Sequence, residues 1–293
     1  MAPAGCGWAG LPADRPLVMG VLNLTPDSFS DGGRHAGAAG IAAGLAMMAD
    51  GADIIDIGGE STRPRAAPVP PEVEQDRILP AVRALAAAGA VISVDTRNAS
   101  TMAAALDSGA WIVNDISGLT HDPDAAALVA ARGCPVVLMH MRGDPQTMGE
   151  LAIYDDVVAE VRAELATLLA AALAAGIAPD RIALDPGIGF AKTGAQNVTL
   201  LRGLAELRTL GCEIVAGVSR KRFIGQLSGQ PDPAARGPGS LAAGLFALAH
   251  GARVLRVHDV AATVQAARVW HALAGVVPAA GLAAGGQGSY MPA

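Results

Sequence analysis

Aromatic residues are almost absent: Phe, Trp and Tyr together make up 3% of the 293 residues, whereas hydrophobic residues of all kinds reach 52%. That imbalance points to an aliphatic core, with alanine-rich helices packed on a sheet of Val, Ile and Leu. Charge is sparse as well. Only 16% of residues are charged, and the net charge of -6 offers no long-range attraction to nucleic acid or to an anionic membrane. An anionic substrate would have to be met by local cations. Cys6, Cys134 and Cys212 are odd in number and far apart, which excludes a disulfide framework and a thiolate metal cluster and suits a reducing cytosol. The N-terminus has no cationic start followed by an apolar core, so no signal peptide is expected. The longest uncharged helical stretch, 165–179, falls short of the roughly 20 apolar residues that a bilayer requires. Disorder of the whole chain is excluded by the hydrophobic content. A soluble cytoplasmic protein is the expectation.

No Pro/Gly/Ser-rich linker divides the sequence, and what it does contain is a regular alternation. Short apolar runs at 17–23, 53–59, 90–96, 111–117, 135–140, 182–187, 213–219 and 254–260 read as strands. Longer alanine-rich segments follow them, for example 36–50, 71–88, 98–108, 155–175 and 261–274, and read as helices. Asn98 is placed to cap one helix and Gly109 to end it, while Gly89, Gly133, Gly176 and Gly211 precede strands where a left-handed turn is useful. Eight continuously apolar strands with helices between them predict a single (β/α)8 TIM barrel of the α/β class, a fold of about 250 residues. A doubly wound open sheet is the rival. The barrel is assigned to residues 17–277, with an N-terminal extension at 1–16, read as a short cap or a frayed end, and a flexible tail at 278–293.

The unusual polar residues gather at strand ends. Asn23, Asp56, Asp95, Asn114, His140, Asp185, Ser219 with Lys221, and Arg256 with His258 lie at or just past the C-terminal end of successive strands. Barrel enzymes place their sites on that face. Each residue also has an ordinary reading: Asn23, Asp95 and Asn114 as helix caps, Asp185 before Pro186 as a turn residue, Lys221 within SRKR as a solvated charge run. His140 is read either as part of the rim or as structural, and Asp56 as a support for the loop above it. Buried Asp and Asn suit a neutral ring bearing several N–H and C=O groups. Lys221, Arg256 and His258, with Arg220 and Arg222 nearby, form a cationic sector suited to phosphate or carboxylate. His35, His121, His250 and His271 show no ligand spacing.

Several strings are longer than any ordinary fingerprint: GVLNLTPDSFSDGG (20–33), DIIDIGGESTRP (53–64), SVDTRN (93–98), NDISG (114–118), LMHMRGDPQTM (138–148), LDPGIGFAKT (184–193), GVSRKRFIG (217–225) and VLRVHDV (254–260). In order and in spacing they resemble the dihydropteroate synthase family of pterin-binding enzymes, from about residue 17 to 275. The resemblance implies condensation of 6-hydroxymethyl-7,8-dihydropterin diphosphate with 4-aminobenzoate, giving 7,8-dihydropteroate and diphosphate for folate synthesis. It further implies that Asp95, Asn114, Asp185 and Lys221 hold the pterin ring, that Asn23 binds Mg2+, and that Thr62, Arg256 and His258 surround the diphosphate, while Ser219 is a further substrate-binding candidate. Arg63 and Pro64 fall in a loop over the site, and Phe190, Lys221 and Arg222 border the aminobenzoate pocket. Lys221, Arg256 and His258 are the residues expected to carry the chemistry. A homodimer is implied too, with GSLAAGLFALAHG (239–251) as a helix able to pack on a second copy.

Three positions depart from the family's pattern. Arg65 follows STRP where glycine is usual, Gln196 stands where histidine is common after DPGIGF, and Arg222 replaces a frequent serine. Two rival functions share the pterin pocket: a methyltetrahydrofolate:corrinoid methyltransferase, which needs no diphosphate site, and a catalytically silent barrel that binds a pterin or an assembly partner.

Overall fold

The computed structural model describes residues 7–25, 34–62 and 66–275. Arg63, Pro64, Arg65 and the tail expected from 278 lie outside the described residues. Eight parallel strands close in chain order into a barrel. They are β1 (Leu17–Asn23), β2 (Ile54–Gly58), β3 (Ile92–Asp95), β4 (Ile112–Asp115), β5 (Val136–Met139), β6 (Ile182–Asp185), β7 (Glu213–Ala216) and β8 (Val254–Val257). The helices are α1 (Arg34–Ala49), α2 (Pro71–Ala87), α3 (Ala99–Asp107), α4 (Ala125–Arg132), α5 (Val157–Ala174), α6 (Gly194–Arg202), α7 (Leu204–Leu207), α8 (Arg222–Ser228), α9 (Gly237–Ala249) and α10 (Val260–Leu273). This is the (β/α)8 barrel that the alternation of the sequence predicts.

Period-two alternation sorts the strand residues into two cores. Leu17, Met19, Ile54, Ile112, Val137, Ala183, Val215 and Val254 fill the barrel's interior floor. Their neighbours Val18, Ile55, Val94, Val113, Val136, Leu184, Ile214 and Leu255 face outward into the layer beneath the helices. One phase therefore fixes everything above the floor: the next inward positions are Asp56, Asp95, Asn114, Asp185 and Arg256. Register reinforces this, since Asp95 stands beside Gly58 on one side and Asn114 on the other.

Local punctuation follows the expected pattern with one exception. Gly89, Gly109, Gly133, Gly176 and Gly211 all adopt positive φ, a conformation that a side chain disfavours. Asn98 occupies the N-cap of α3 without a capping side-chain bond. Its amide donates to Glu74 Oε2 at 2.9 Å instead, and Asp122 Oδ2 accepts the first helical N–H, from Ala99, at 2.8 Å. Buried Glu74 needs donors more urgently than a helix start that Asp122 already caps.

The two tryptophans near the N-terminal face close the barrel from below. Trp8, in a single 3-10 turn (Trp8–Gly10), is buried among the floor residues and donates its indole N–H to the Arg181 carbonyl at 2.9 Å. Trp111 donates to the Ala9 carbonyl at 2.9 Å. Trp8 is buried and Trp111 is exposed, and both polar tips are satisfied. Trp8→Ala should destabilise the fold by about 3–5 kcal/mol. In an equilibrium urea titration the midpoint should fall, with ligand binding at the opposite face unchanged under native conditions.

Candidate active site

The C-terminal mouth carries a polar layer directly above the aliphatic floor. Arg256, on the inner face of β8, reaches across to β2 and β3: its Nε donates to Asp56 Oδ2 at 2.7 Å and its Nη2 to Asp95 Oδ2 at 2.6 Å. Asn114 Nδ2 also donates to Asp56 Oδ2, at 3.1 Å. Asp56 is wholly buried beneath this set. It therefore orients Asn114 and Arg256 from below, whereas the sequence suggested a support for the loop above.

Above the network opens a cleft walled by Asn114, Asp185, Gly217, Lys221 and Arg256, with Thr62 at its edge. Ile116, Met139, Ile188 and Phe190 supply its apolar sides. Asp185 is fixed by one oxygen: Oδ1 accepts the Gly187 N–H at 2.7 Å. Its Oδ2 faces Gly217, where even a methyl group would come within 3.6 Å. Lys221 packs against the β6–α6 loop. Its ammonium sits 4.2 Å from the centroid of the Phe190 ring, and its Cδ would be 3.0 Å from a Cβ on Gly189.

The ionisable groups are poised away from their ordinary values. Burial pushes Asp95 up to about 7; Arg256 opposes this and the nearby carboxylates Asp56, Glu74 and Asp115 add to it. Burial likewise raises Asp185, against the Gly187 N–H and the charge of Lys221. Burial and then Arg256 bring Lys221 down to about 8, with Asp185 and Asp95 opposing. For Arg256 burial works against the charge, but Asp56 and Asp95 outweigh it and the guanidinium stays protonated. Desolvation and the cations Arg220, Arg256 and Lys221 hold His258 down to about 4. The imidazole is thus neutral at physiological pH, and its Nδ1 lies 3.1 Å from Ser219 Oγ.

Most of the residues expected at the rim do converge. Asn114, Asp185, Lys221, Arg256 and Thr62 surround one cleft with Phe190 on its wall, Asp95 is bonded to Arg256, and Ser219 and His258 pair just past the ends of β7 and β8. Asn23 ends β1, half-buried and in register with Gly58. Three cations or rim groups behave otherwise. Arg220 is tied by Nε and Nη2 to Asp259, so its charge is compensated. Arg222 is exposed at the start of α8. His140 leaves the rim altogether: one residue beyond inward-facing Met139, it points outward to Glu164 on α5. Two supports carried no signal in their spacing. Lys192 holds the β6–α6 loop through backbone carbonyls, and buried Asn197 accepts the Gly189 N–H at 2.7 Å.

A cleft of this make-up can grip a flat heterocycle edge-on with carboxylate and amide groups, and meet a charged tail with Arg256, Ser219 and His258. The family model for pterin binding enzymes matches residues 19–258. The chain belongs to the pterin-binding enzyme family. It is 50% identical over 259 residues to the dihydropteroate synthase of Mycobacterium leprae, covering 86% of this chain and 91% of that one. The solved structure of Xanthomonas albilineans dihydropteroate synthase with 4-aminobenzoic acid superposes with a TM-score of 0.86 at 49% identity, over 92% of this chain and 96% of that one. The same enzyme in complex with 7,8-dihydropteroate gives a TM-score of 0.83 at 47% identity, over 92% of this chain and 97% of that one.

Within a pterin-binding site, Asp185 makes a sharp test. The Gly187 N–H requires an acceptor, so an asparagine would turn its oxygen there and present its NH2 to the ring. Asp185→Asn should therefore cost about 2–4 kcal/mol of pterin affinity by calorimetry. Unchanged affinity would show that the ring is read by other groups.

Proposed function

We infer that this chain catalyses the dihydropteroate synthase reaction, a transferase step of folate biosynthesis. 6-Hydroxymethyl-7,8-dihydropterin diphosphate and 4-aminobenzoate give 7,8-dihydropteroate and diphosphate. One observation carries the reading most directly: Asn114, Asp185, Lys221 and Arg256 line a single cleft, Arg256 is bonded to Asp95, and Ser219 and His258 pair where β7 and β8 end.

The bond between the exocyclic methylene carbon and the diphosphate oxygen breaks first, its electron pair leaving with the diphosphate. The electron-rich dihydropterin delocalises the positive charge left on carbon. The arylamine nitrogen then attacks with its lone pair and loses a proton to solvent. An arylamine is weakly basic and mostly neutral, so no dedicated base is required. Asp185, Asp95 and Asn114 orient the ring and keep its carbon in line with the incoming nitrogen. Arg256, His258, Ser219 and Thr62 meet the charge that develops on the leaving group. Phe190 and Lys221 border the arylamine and its carboxylate.

A magnesium ion fits the same reading. Asn23 offers a hard amide oxygen at the end of β1, and Mg2+ commonly takes one or two protein ligands, several waters and substrate phosphate oxygens. Among the described residues no cluster of three or more His, Cys, Asp or Glu could cage a metal, so Asn23 would hold the ion together with the diphosphate. Bound there, Mg2+ would act as a Lewis acid on the departing oxygen.

We also place the protein in the cytoplasm as a homodimer. Cys134 and Cys212 are free thiols, and among the described residues no helix is long and apolar enough to cross a membrane. Val198, Leu201, Phe223, Ile224, Leu227 and Phe246 line an apolar groove between α6, α8 and α9, and Leu227 is 71% exposed. Small residues beside it, Gly239, Ala242 and Ala243, allow a second copy's helix to approach closely. Sedimentation velocity should give a dimer that Leu227→Glu converts to monomer; a monomeric parent protein would refute the pairing.

The function is tested by a coupled assay for dihydropteroate with both substrates. Turnover should require Mg2+ and vanish on chelation, and methyl transfer without diphosphate release would support the corrinoid methyltransferase instead. The same assay has a defined pH dependence. Asp95 gains its ionised form as pH rises through about 7, and Lys221 loses its charge as pH rises through about 8. The kcat/KM for the pterin substrate should peak between those limbs, because that parameter reports the free enzyme's groups. A flat profile from about pH 6 to 9 would remove both from ring binding.

A further inference from the structure

Behind the β6–α6 loop runs a chain of polar contacts that the reaction above does not use. Lys192 has three ammonium donors, and each has an acceptor: His140 Nδ1 at 2.9 Å, the Phe190 carbonyl at 3.0 Å and the Gly187 carbonyl at 3.2 Å. The imidazole tautomer follows from its other partner. His140 Nε2 lies 2.8 Å from Glu164 Oε2, and a carboxylate only accepts, so Nε2 carries the hydrogen and Nδ1 offers its lone pair to Lys192. Desolvation, and then the neighbouring Lys192 charge, keep that imidazole neutral, with a pKa of about 4. Glu164 is held in turn by Arg142, which bonds Glu160 Oε2 at 2.8 Å and stacks 3.9 Å over the Tyr154 ring. The chain runs Arg142, Glu164, His140, Lys192, and ends on two carbonyls of the loop.

Those two carbonyls bracket the segment that shapes one wall of the cleft. Gly187, with φ of 67°, passes so close to strand β5 that a Cβ would stand 1.9 Å from the His140 carbonyl oxygen. Gly189, with φ of 86°, lies against the Lys221 side chain, and the Phe190 ring faces the Lys221 ammonium. The backbone from 187 to 190 therefore sets where the ring of Phe190 stands and where Lys221 points. Since two N–H groups of the Lys192 ammonium are engaged by the loop carbonyls and the third by His140, none is left for a substrate.

We propose that Lys192 is a positioning residue for the arylamine: by tying the carbonyls of Gly187 and Phe190 to His140, it holds the Phe190–Lys221 wall against which the arylamine docks. This rests on the synthase reading above. Gln196 serves the same end from α6. Its Oε1 accepts the Thr193 N–H at 2.7 Å and its Nε2 donates to the Ala152 carbonyl at 3.2 Å, linking the helix to the β5–α5 loop.

Steady-state kinetics of the full chain, varying each substrate in turn, test the assignment. In Lys192→Met, which keeps the length and loses the donors, KM for 4-aminobenzoate should rise about tenfold, with kcat and the pterin KM changing less than about threefold. Glu164→Gln, on a side chain 40% exposed and so safe for folding, should move the same KM by about threefold through the freed tautomer of His140. An unchanged arylamine KM in both variants, or a fall in kcat alone, overturns the positioning role. If the parent protein forms no dihydropteroate, the synthase reading itself fails, and the inference fails with it. An active parent with unaltered variants sinks only the role of Lys192.

Discussion

One guanidinium shared between two strands organises the mouth of this barrel. Arg256 is bonded to Asp56 on β2 and Asp95 on β3, and Asp56 also receives the Asn114 amide from β4. A carboxylate taken out of water without a partner costs several kcal/mol, so two acids at this depth require the cation between them. The reverse also holds, because a buried arginine needs acceptors for its fork. Pairing one cation with two acids leaves the layer short of positive charge. Burial, with the neighbouring acids adding to it, pushes Asp95 up to about 7, and a ligand bringing N–H donors to that edge relieves the imbalance. The network is thus both the roof of the aliphatic core and the floor of the binding cleft.

Strand identity is legible in the sequence because a strand buried on both faces is apolar throughout, and eight such runs admit few folds. Much of the cleft is legible for a related reason: Asp, Asn, Lys or Arg ending an apolar strand stands out against it. Phase is what the sequence withholds. Met139 and His140 are adjacent, yet one lines the cleft and the other turns to α5. Nothing in LMHMRG says which residue is inward until Val137 is found in the barrel floor. Asp56 shows the same limit in depth, since a strand-end acid and one placed two residues earlier look alike on paper. Arg220 shows a limit in pairing, as Asp259 is 39 residues away and no pattern of charge links them.

The departure at Gln196 illustrates how a substitution is absorbed. Glutamine completes a capping box with Thr193 at the start of α6, a role that needs one acceptor at the third helical position. Its amide has a donor left over and spends it on Ala152. The β5–α5 and β6–α6 loops are then joined twice, once through Gln196 at the surface and once through Lys192 and His140 beneath. Arg222 has no such compensation, being solvated at the first turn of α8.

The chemistry of the cleft follows from keeping two kinds of recognition apart. Hydrogen-bond acceptors sit on β3 and β6, where Asp95 and Asp185 are pushed toward the neutral form by burial. The groups suited to an anionic tail sit on β7 and β8, where Ser219 pairs with a neutral His258 beside Arg256. A neutral imidazole among cations is a reserve of charge. Burial and then Arg220 and Arg256 keep it neutral, and an anionic tail beside it offsets the cations' repulsion and favours its protonated form. As the carbon–oxygen bond breaks, further charge builds on the departing oxygen and strengthens these contacts, whereas the ring's contacts are already in place; interactions that strengthen on the way to the transition state lower the barrier.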